Sequence, residues 1–206
     1  ILGIAQQNSN RLLGYSSIGQ IGLMLVILGL APRLGEHFNF IFLSIFISHF
    51  LAKAGLFWIS GIVMKDNIRD WSALRKNKLL LFMFGFFLLT LMGFPPFPSF
   101  YGKWQLIMEL SQQKLFIWIV LILVGSLFEG LYLFRWFGFV MKGEVEQKEK
   151  LLIHWEKMIP PMLFTILVLV ASHFMNNASE YGHSLNLIPI YFIILLFLLD
   201  FLPAWI

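Results

Sequence analysis

Apolar residues in this chain form six long runs, which short clusters of charged and polar residues separate. Each run has about 18 residues or more, the length that a helix needs to cross about 30 Å of hydrocarbon. Backbone amides find no water inside lipid, so each run is predicted to be α-helical. The predicted spans cover residues 11–31, 40–64, 79–112, 115–141, 158–175 and 187–206. The pattern predicts an all-α integral membrane protein with about six transmembrane helices.

The third apolar run, residues 79–112, is too long for one membrane helix. At 1.5 Å per residue it would extend about 51 Å. Glycine and proline interrupt it at Gly93, Pro95, Pro96 and Pro98. Proline removes an amide donor and clashes with the preceding turn, so we expect a discontinuous helix. Broken backbone at membrane depth is tolerated where protein or water satisfies it, which indicates a functional interior. A merely structural proline kink is the alternative.

The composition and the placement of basic residues agree with a membrane protein. Hydrophobic residues make up 59% of the chain and charged residues 13%, which leaves too little polar surface to cover a soluble globule. If the connections alternate between the two sides, one side receives ten basic residues and the other only Arg33 and Lys114. The ten are Arg11, Lys65, Arg69, Arg75, Lys76, Lys78, Lys142, Lys148, Lys150 and Lys157. The positive-inside bias predicts that loops 65–78 and 142–157 face the cytoplasm or its organellar equivalent.

Four ionisable residues inside the spans are candidates for moving charge across the membrane. A lysine near the middle of a membrane helix costs about 2.5 to 3.5 kcal/mol, so Lys53 and Lys103 are expected to be functional. His49 precedes Lys53 by four residues and therefore shares its helix face. Glu129 lies about midway along its span and is expected to pair with a buried lysine. The alternatives are a Lys103 that anchors in the headgroups and a His49 that only bonds to a neighbouring helix.

Several chemistries have no signature in the sequence. The chain has no cysteine, which excludes disulfides, thiolate chemistry and cysteine-ligated metals. It has no phosphate-binding glycine loop, no dinucleotide fingerprint and no histidine pair at metal-ligand spacing. A basic stripe with interleaved aromatic residues, which would suggest nucleic acid, is also missing. We therefore expect no cofactor, no metal site, no nucleic-acid partner and no catalytic site of its own.

Three segments resemble the antiporter-like membrane subunits of respiratory complex I, Mrp-type sodium/proton antiporters and membrane-bound hydrogenases. They are RLLGYSSIGQIGLM at 11–24, SHFLAKAGLF at 48–57 and LTLMGFPPFPSFYGKW at 89–104, with FRWFGFVMKG at 134–143 a weaker match. The GKW form of the third segment looks more like the Mrp D-type subunit, or a related hydrogenase or complex I subunit, than versions with glutamate there. Asn10 stands where the family usually has a basic residue beside Arg11.

The resemblance implies a fold of two inverted five-helix repeats, each with one broken helix. Residues 1–142 would be part of the second repeat, residues 143–157 a connecting loop and residues 158–206 two further helices. In the family, a histidine and a lysine that match His49 and Lys53 belong to a hydrated central axis. The ionisable residue after the break matches Lys103. Since the chain begins at Ile1 and not at methionine, we expect a fragment or a partly resolved chain.

The function that this resemblance implies is translocation of protons, possibly with sodium, by one subunit of a multi-subunit complex. The complex would lie in an energy-transducing membrane, a bacterial or archaeal inner membrane in the first place, with other membrane subunits and lipid as partners. Its driving reaction would be a redox reaction or an Mrp-type ion exchange. A non-pumping structural or assembly subunit is one alternative. A membrane-embedded enzyme that acts on lipid or quinone, with His49 as general base, is another.

Overall fold

The computed structural model describes residues 2–143 and 154–181, which fold into α-helices joined by short connections. The α-helices are α1 (Leu2–Ala5), α2 (Ser9–Gly29), α3 (Ala31–Leu34), α4 (His37–Val63), α5 (Lys78–Met92), α6 (Pro98–Gln112), α7 (Phe116–Lys142) and α8 (Ile159–Tyr181). Two 3₁₀-helices, Ile68–Lys76 and Trp155–Met158, precede α5 and α8. The described part of the chain contains no β-strand beyond an isolated bridge between Asn8 and Asn67.

Four of the helices are long and apolar enough to cross a membrane: α2, α4, α7 and the segment Trp155–Ala178. They agree to within a few residues with the predicted first, second, fourth and fifth spans. The predicted all-α integral membrane fold is therefore confirmed for the described residues. The sixth predicted span, 187–206, lies outside them, as does most of the predicted loop 142–157.

The third predicted span is broken where the prolines indicated. Gly93 ends α5 with a left-handed φ of 79°, which glycine adopts without a steric penalty. Pro95 and Pro96 contribute no amide donors, and a cis peptide bond joins them. Pro98 then begins α6 at the position where a missing donor costs nothing. Each half has 15 residues, about 22 Å of helix, so neither half spans the hydrocarbon alone.

Helix α4 is the centre of the bundle and packs against α2, α5, α6 and α8. Helix α4 packs tightly against α6 at Gly102. A Cβ atom added to Gly102 would lie 2.8 Å from the Ser44 Cβ and 3.0 Å from the Ile41 carbonyl oxygen. Helices that approach this closely need a residue without a side chain, as is common at membrane helix interfaces. Gly102 thus allows α6 to lie close against α4, and this close packing places the neighbouring Lys103 beside α4.

Substituting Gly102→Val should push α4 and α6 apart. Because the Ile41 oxygen belongs to the backbone and cannot rotate away, we expect a loss of about 1 to 3 kcal/mol. Thermal unfolding of the purified, assembled protein would measure it. Gly19→Val is the matched control, since an added Cβ at Gly19 has open space around it. Equal stability of the two variants would show that α4 and α6 are not held at this distance.

Three segments that carry basic residues meet at one end of the bundle: the connection between α4 and α5, the end of α7 and the start of α2. Arg75, from the connection between α4 and α5, donates hydrogen bonds to the carbonyl oxygens of Met141 (2.9 Å) and Gly143 at the end of α7. The Ser9 amide, at the start of α2, donates to the Asp66 oxygen at 2.7 Å. We call this end of the bundle, formed by the connection between α4 and α5, the end of α7 and the start of α2, the basic end. Its placement on the cytoplasmic side stays a prediction.

Candidate functional site: a buried charge cluster beside the helix break

Glu129 is a carboxylate buried in the bundle, with 6% of its surface exposed. It lies on α7 and accepts two hydrogen bonds from α2. The Ser16 hydroxyl donates to Oε1 at 3.0 Å, and the Gln20 amide donates to Oε2. Ser16 and Gln20 are four residues apart, so they present their side chains from one face of α2. A charged carboxylate is costly to bury unless such donors surround it.

Lys103 is the sixth residue of α6, the helix that follows the break, and only 8% of its surface is exposed. Its Nζ is 4.0 Å from Oε2 of Glu129. Lys103 therefore does not reach the surface of the bundle, in contrast to the headgroup-anchor alternative. Glu129 lies beside a buried lysine, as the sequence suggested, and that lysine is Lys103. The Nζ donates no hydrogen bond to any described group.

The break itself lies against the Lys103 side chain. A Cβ atom added to Gly93 would be 3.4 Å from the Lys103 Cδ and 3.5 Å from its Nζ. The Thr90 carbonyl oxygen, in the last turn of α5, accepts from the Ser99 hydroxyl at 2.9 Å and from the Ser48 hydroxyl at 3.4 Å. The carbonyl end of a helix carries partial negative charge, so the end of α5 favours a cation here. Gly93, Pro95, Pro96 and Pro98 thus place a helix end beside an ammonium group.

Lys53 is the second buried lysine, with 5% exposure, at the contact of α4 with α2. Its Nζ donates to the Leu13 carbonyl oxygen at 2.5 Å, and the Ser17 hydroxyl donates to the same oxygen at 3.1 Å. Glu129 interacts electrostatically with both Lys53 and Lys103. Lys53 is therefore held by a backbone oxygen and remains within the field of the carboxylate.

His49 lies one helical turn before Lys53 on α4 and is partly buried. It lies within electrostatic range of Lys53 and Lys103, and its Nδ1 is buried without a hydrogen bond to the described residues. The four ionisable residues selected from the sequence thus lie in one region, where α2, α4, α6 and α7 meet. A proton on any one of them changes the electrostatic energy of the others.

The sequence analysis did not assign Ser16 and Gln20, although they hold the carboxylate. Their signal was present: two polar side chains four residues apart inside an apolar span. Arg135 is on the same helix as Glu129 but is not part of this cluster, because its guanidinium donates to the carbonyl oxygens of Ile4 and Gln6. The described residues include no group of three or more histidines and acids that could hold a metal.

Comparison with known proteins identifies the family. The model of the family described as "NADH:quinone oxidoreductase/Mrp antiporter, TM" matches residues 1–129, more than half of the chain. NADH-quinone oxidoreductase subunit N of Desulforudis audaxviator is 31% identical over 140 residues, which cover 66% of this chain and 27% of that protein. NAD(P)H-quinone oxidoreductase subunit 2 of the Chlorokybus atmophyticus chloroplast is 30% identical over 137 residues, which cover 66% of this chain and 27% of that protein.

A third relative extends the match further along the chain. NADH-quinone oxidoreductase subunit N of Dehalococcoides mccartyi is 26% identical over 162 residues, which cover 75% of this chain and 33% of that protein. The chain spans between 27% and 33% of the length of these three relatives. The resemblance in the motifs of the first three spans is thereby confirmed. This chain belongs to the antiporter-like membrane subunits of the NADH:quinone oxidoreductase/Mrp antiporter family.

Proposed function

We propose that the chain is a proton-translocating part of a membrane subunit in a multi-subunit complex of the NADH-quinone oxidoreductase type. The observation that carries the proposal is the buried Lys103–Glu129 pair, 4.0 Å apart beside the broken helix. Two ionisable groups are expensive to keep in a membrane interior, and functional sites are where they persist. The names of the relatives, NADH-quinone oxidoreductase subunits, support the choice of complex.

The pair can exist in two forms that carry the same net charge. Lys103 and Glu129 can form an ammonium–carboxylate pair, or the proton can move so that both are neutral. A third charge nearby shifts the equilibrium between the ionised and the neutral form of the pair, because the field of that third charge acts mainly on the ionised form. Lys53 is such a charge, since Glu129 interacts with both lysines. Protonation of Lys53 and proton transfer within the pair are therefore coupled.

His49 supplies a chemically suitable relay between the two lysines. An imidazole can accept a proton at one ring nitrogen and release one from the other. Water molecules would complete the path between side chains that do not touch. We propose the order Lys53, His49, Lys103 and Glu129 along this axis, with the direction set by partner subunits in an energy-transducing membrane.

Protons are preferred over sodium as the transported ion. The oxygens of Ser16, Gln20 and Glu129 would suit a small cation by their chemistry. The Lys103 ammonium, however, lies 4.0 Å from the same carboxylate and would repel a second cation there. A proton, in contrast, can pass from the ammonium group of Lys103 to the carboxylate, which leaves both groups neutral and brings no further charge into the site.

Substituting Lys53→Met tests the proposal in the whole complex. Methionine keeps most of the side-chain volume and removes the charge, so we expect electron-transfer-linked proton translocation to fall about tenfold, equivalent to about 1.4 kcal/mol in the barrier. A pH-sensitive dye inside proteoliposomes would report it. Lys78→Met, at an exposed lysine at the start of α5, is the control and should translocate normally.

The same experiment addresses the alternative of a structural subunit. A Lys53→Met complex that assembles fully and translocates protons at the wild-type rate would support a non-pumping role and contradict the proposal. Identification of the neighbouring chains in the purified complex would add the coupling reaction. Iron–sulfur subunits would indicate redox coupling, and a complex without them would indicate an ion antiporter.

A further inference from the structure

Tyr132 is a buried tyrosine on α7, with 8% of its surface exposed, and it is not part of the proton path proposed above. It follows Glu129 by three residues, so the two side chains lie on one face of α7. The Tyr132 hydroxyl forms a hydrogen bond with the Ser16 hydroxyl of α2. Ser16 in turn donates to Oε1 of Glu129 at 3.0 Å. Two neighbouring side chains of α7 thus meet the same hydroxyl group of α2.

The single hydrogen of the Ser16 hydroxyl fixes the direction of both hydrogen bonds. A serine hydroxyl has one hydrogen to donate and two lone pairs with which to accept. That hydrogen goes to Glu129, so the Tyr132 hydroxyl is the donor in its bond with Ser16. The three side chains therefore form a chain of hydrogen bonds that ends on the carboxylate. Each bond in such a chain polarises the next, so Tyr132 strengthens the bond that Glu129 accepts.

The ring of Tyr132 is held in place by α1. A Cβ atom added to Gly3 would lie 3.1 Å from both Cδ1 and Cε1 of the ring, so the backbone of α1 lies directly against it. Arg135, one turn further along α7, donates to the carbonyl oxygens of Ile4 and Gln6 and ties the same segment to α7. These contacts restrict the ring and keep its hydroxyl directed at α2.

We propose that Tyr132 is a positioning residue that shifts the equilibrium of the Lys103–Glu129 pair toward its ionised form. This inference rests on the proposed function. Hydrogen bonds to an ionised group are stronger than those to a neutral one, so a polarised Ser16 hydroxyl favours the carboxylate over the acid. Lys103 lies nearest Oε2 and Ser16 binds Oε1. A proton that moves from the Lys103 Nζ to Oε2 therefore leaves Oε1 as the carbonyl oxygen that Ser16 binds.

Substituting Tyr132→Phe removes only the hydroxyl and tests the inference in the whole complex. The readout is the C=O stretching band of protonated Glu129 in infrared difference spectra, identified by its absence in Glu129→Gln. A hydrogen bond to a C=O group lowers its stretching frequency, so a weaker bond from Ser16 should move the band to higher wavenumber. We also expect proton translocation to fall about two- to threefold. Tyr15→Phe, which removes a hydroxyl from the same cavity between α2 and α7, is the control and should change neither the band nor the rate.

A second substitution tests whether Tyr132 acts through Ser16. Ser16→Ala should move the band by itself, and Tyr132→Phe should then add nothing. An unchanged band in Tyr132→Phe, or an undiminished shift in the Ser16→Ala background, would overturn the inference. A loss of thermal stability with the band in its original place would show a structural role only and would also overturn it.

The remaining outcomes separate this inference from the proposed function. If Tyr132→Phe does not assemble, Gly3→Ala replaces it, because the added methyl group must displace the ring and should move the band in the same direction. A Glu129 band that none of these substitutions moves would refute only the role of Tyr132. A wild-type complex that translocates protons without any Glu129 band would refute the proposed function, and this inference with it.

Discussion

Replacing Lys103 with methionine should lower proton translocation by the assembled complex about tenfold or more. The ammonium group lies 4.0 Å from Oε2 of Glu129 and against Gly93 at the end of α5. On the path that we propose, the carboxylate then has no group with which to exchange a proton, and the path is interrupted at the helix break. Methionine fills a similar volume, so the contact between α4 and α6 should persist. The measurement is the initial rate of acidification in energised proteoliposomes.

The matched control for Lys103 is Lys114→Met, at an exposed lysine just beyond the end of α6. It removes the same charge and should leave the rate within the error of the assay. A Lys103→Met complex that translocates as fast as the control would exclude Lys103 from the proton path.

Replacing Glu129 with glutamine should have an effect of similar size, about tenfold or more. The amide keeps an acceptor for the Ser16 hydroxyl but places an NH₂ group toward one of the two donors that now meet carboxylate oxygens. It also cannot take up a proton. The same acidification assay measures the effect, with Glu36→Gln, at an exposed glutamate before α4, as the control. A Glu129→Gln complex with the wild-type rate would contradict the role of this carboxylate.

The double variant Lys103→Met with Glu129→Gln distinguishes the contribution of the pair to proton translocation from its contribution to stability. Removing one partner of a buried pair leaves an unpaired charge, which typically costs about 3 to 5 kcal/mol, whereas removing both can be neutral. We therefore expect thermal stability to recover in the double variant and translocation to remain as low as in either single variant. Equal and additive losses of stability would show that the two side chains do not interact.

The sequence predicted the features that neighbouring residues determine. Gly93 and the prolines at 95, 96 and 98 act on the backbone around them, so the break could be located to within a residue or two. His49 and Lys53 share a face because both lie in one helix. The apolar runs also predicted the long helices, since the length needed to cross lipid is fixed.

Contacts between helices were harder to predict from the sequence. Glu129 and Lys103 come together because α6 and α7 pack in the same bundle, where Gly102 allows α6 to lie close against α4. Ser16 and Gln20 were missed as ligands of the carboxylate for the same reason. The division into inverted repeats stays a prediction that follows from the family resemblance.

Infrared difference spectroscopy tests most directly whether the buried cluster binds and releases protons. Spectra of the complex before and after energisation should contain a C=O stretching band of a protonated carboxylic acid, and this band should disappear in Glu129→Gln. The band would show that Glu129, between Ser16, Gln20 and Lys103, changes its protonation during turnover. A wild-type spectrum with no band that depends on Glu129, recorded while protons are being translocated, would contradict this account.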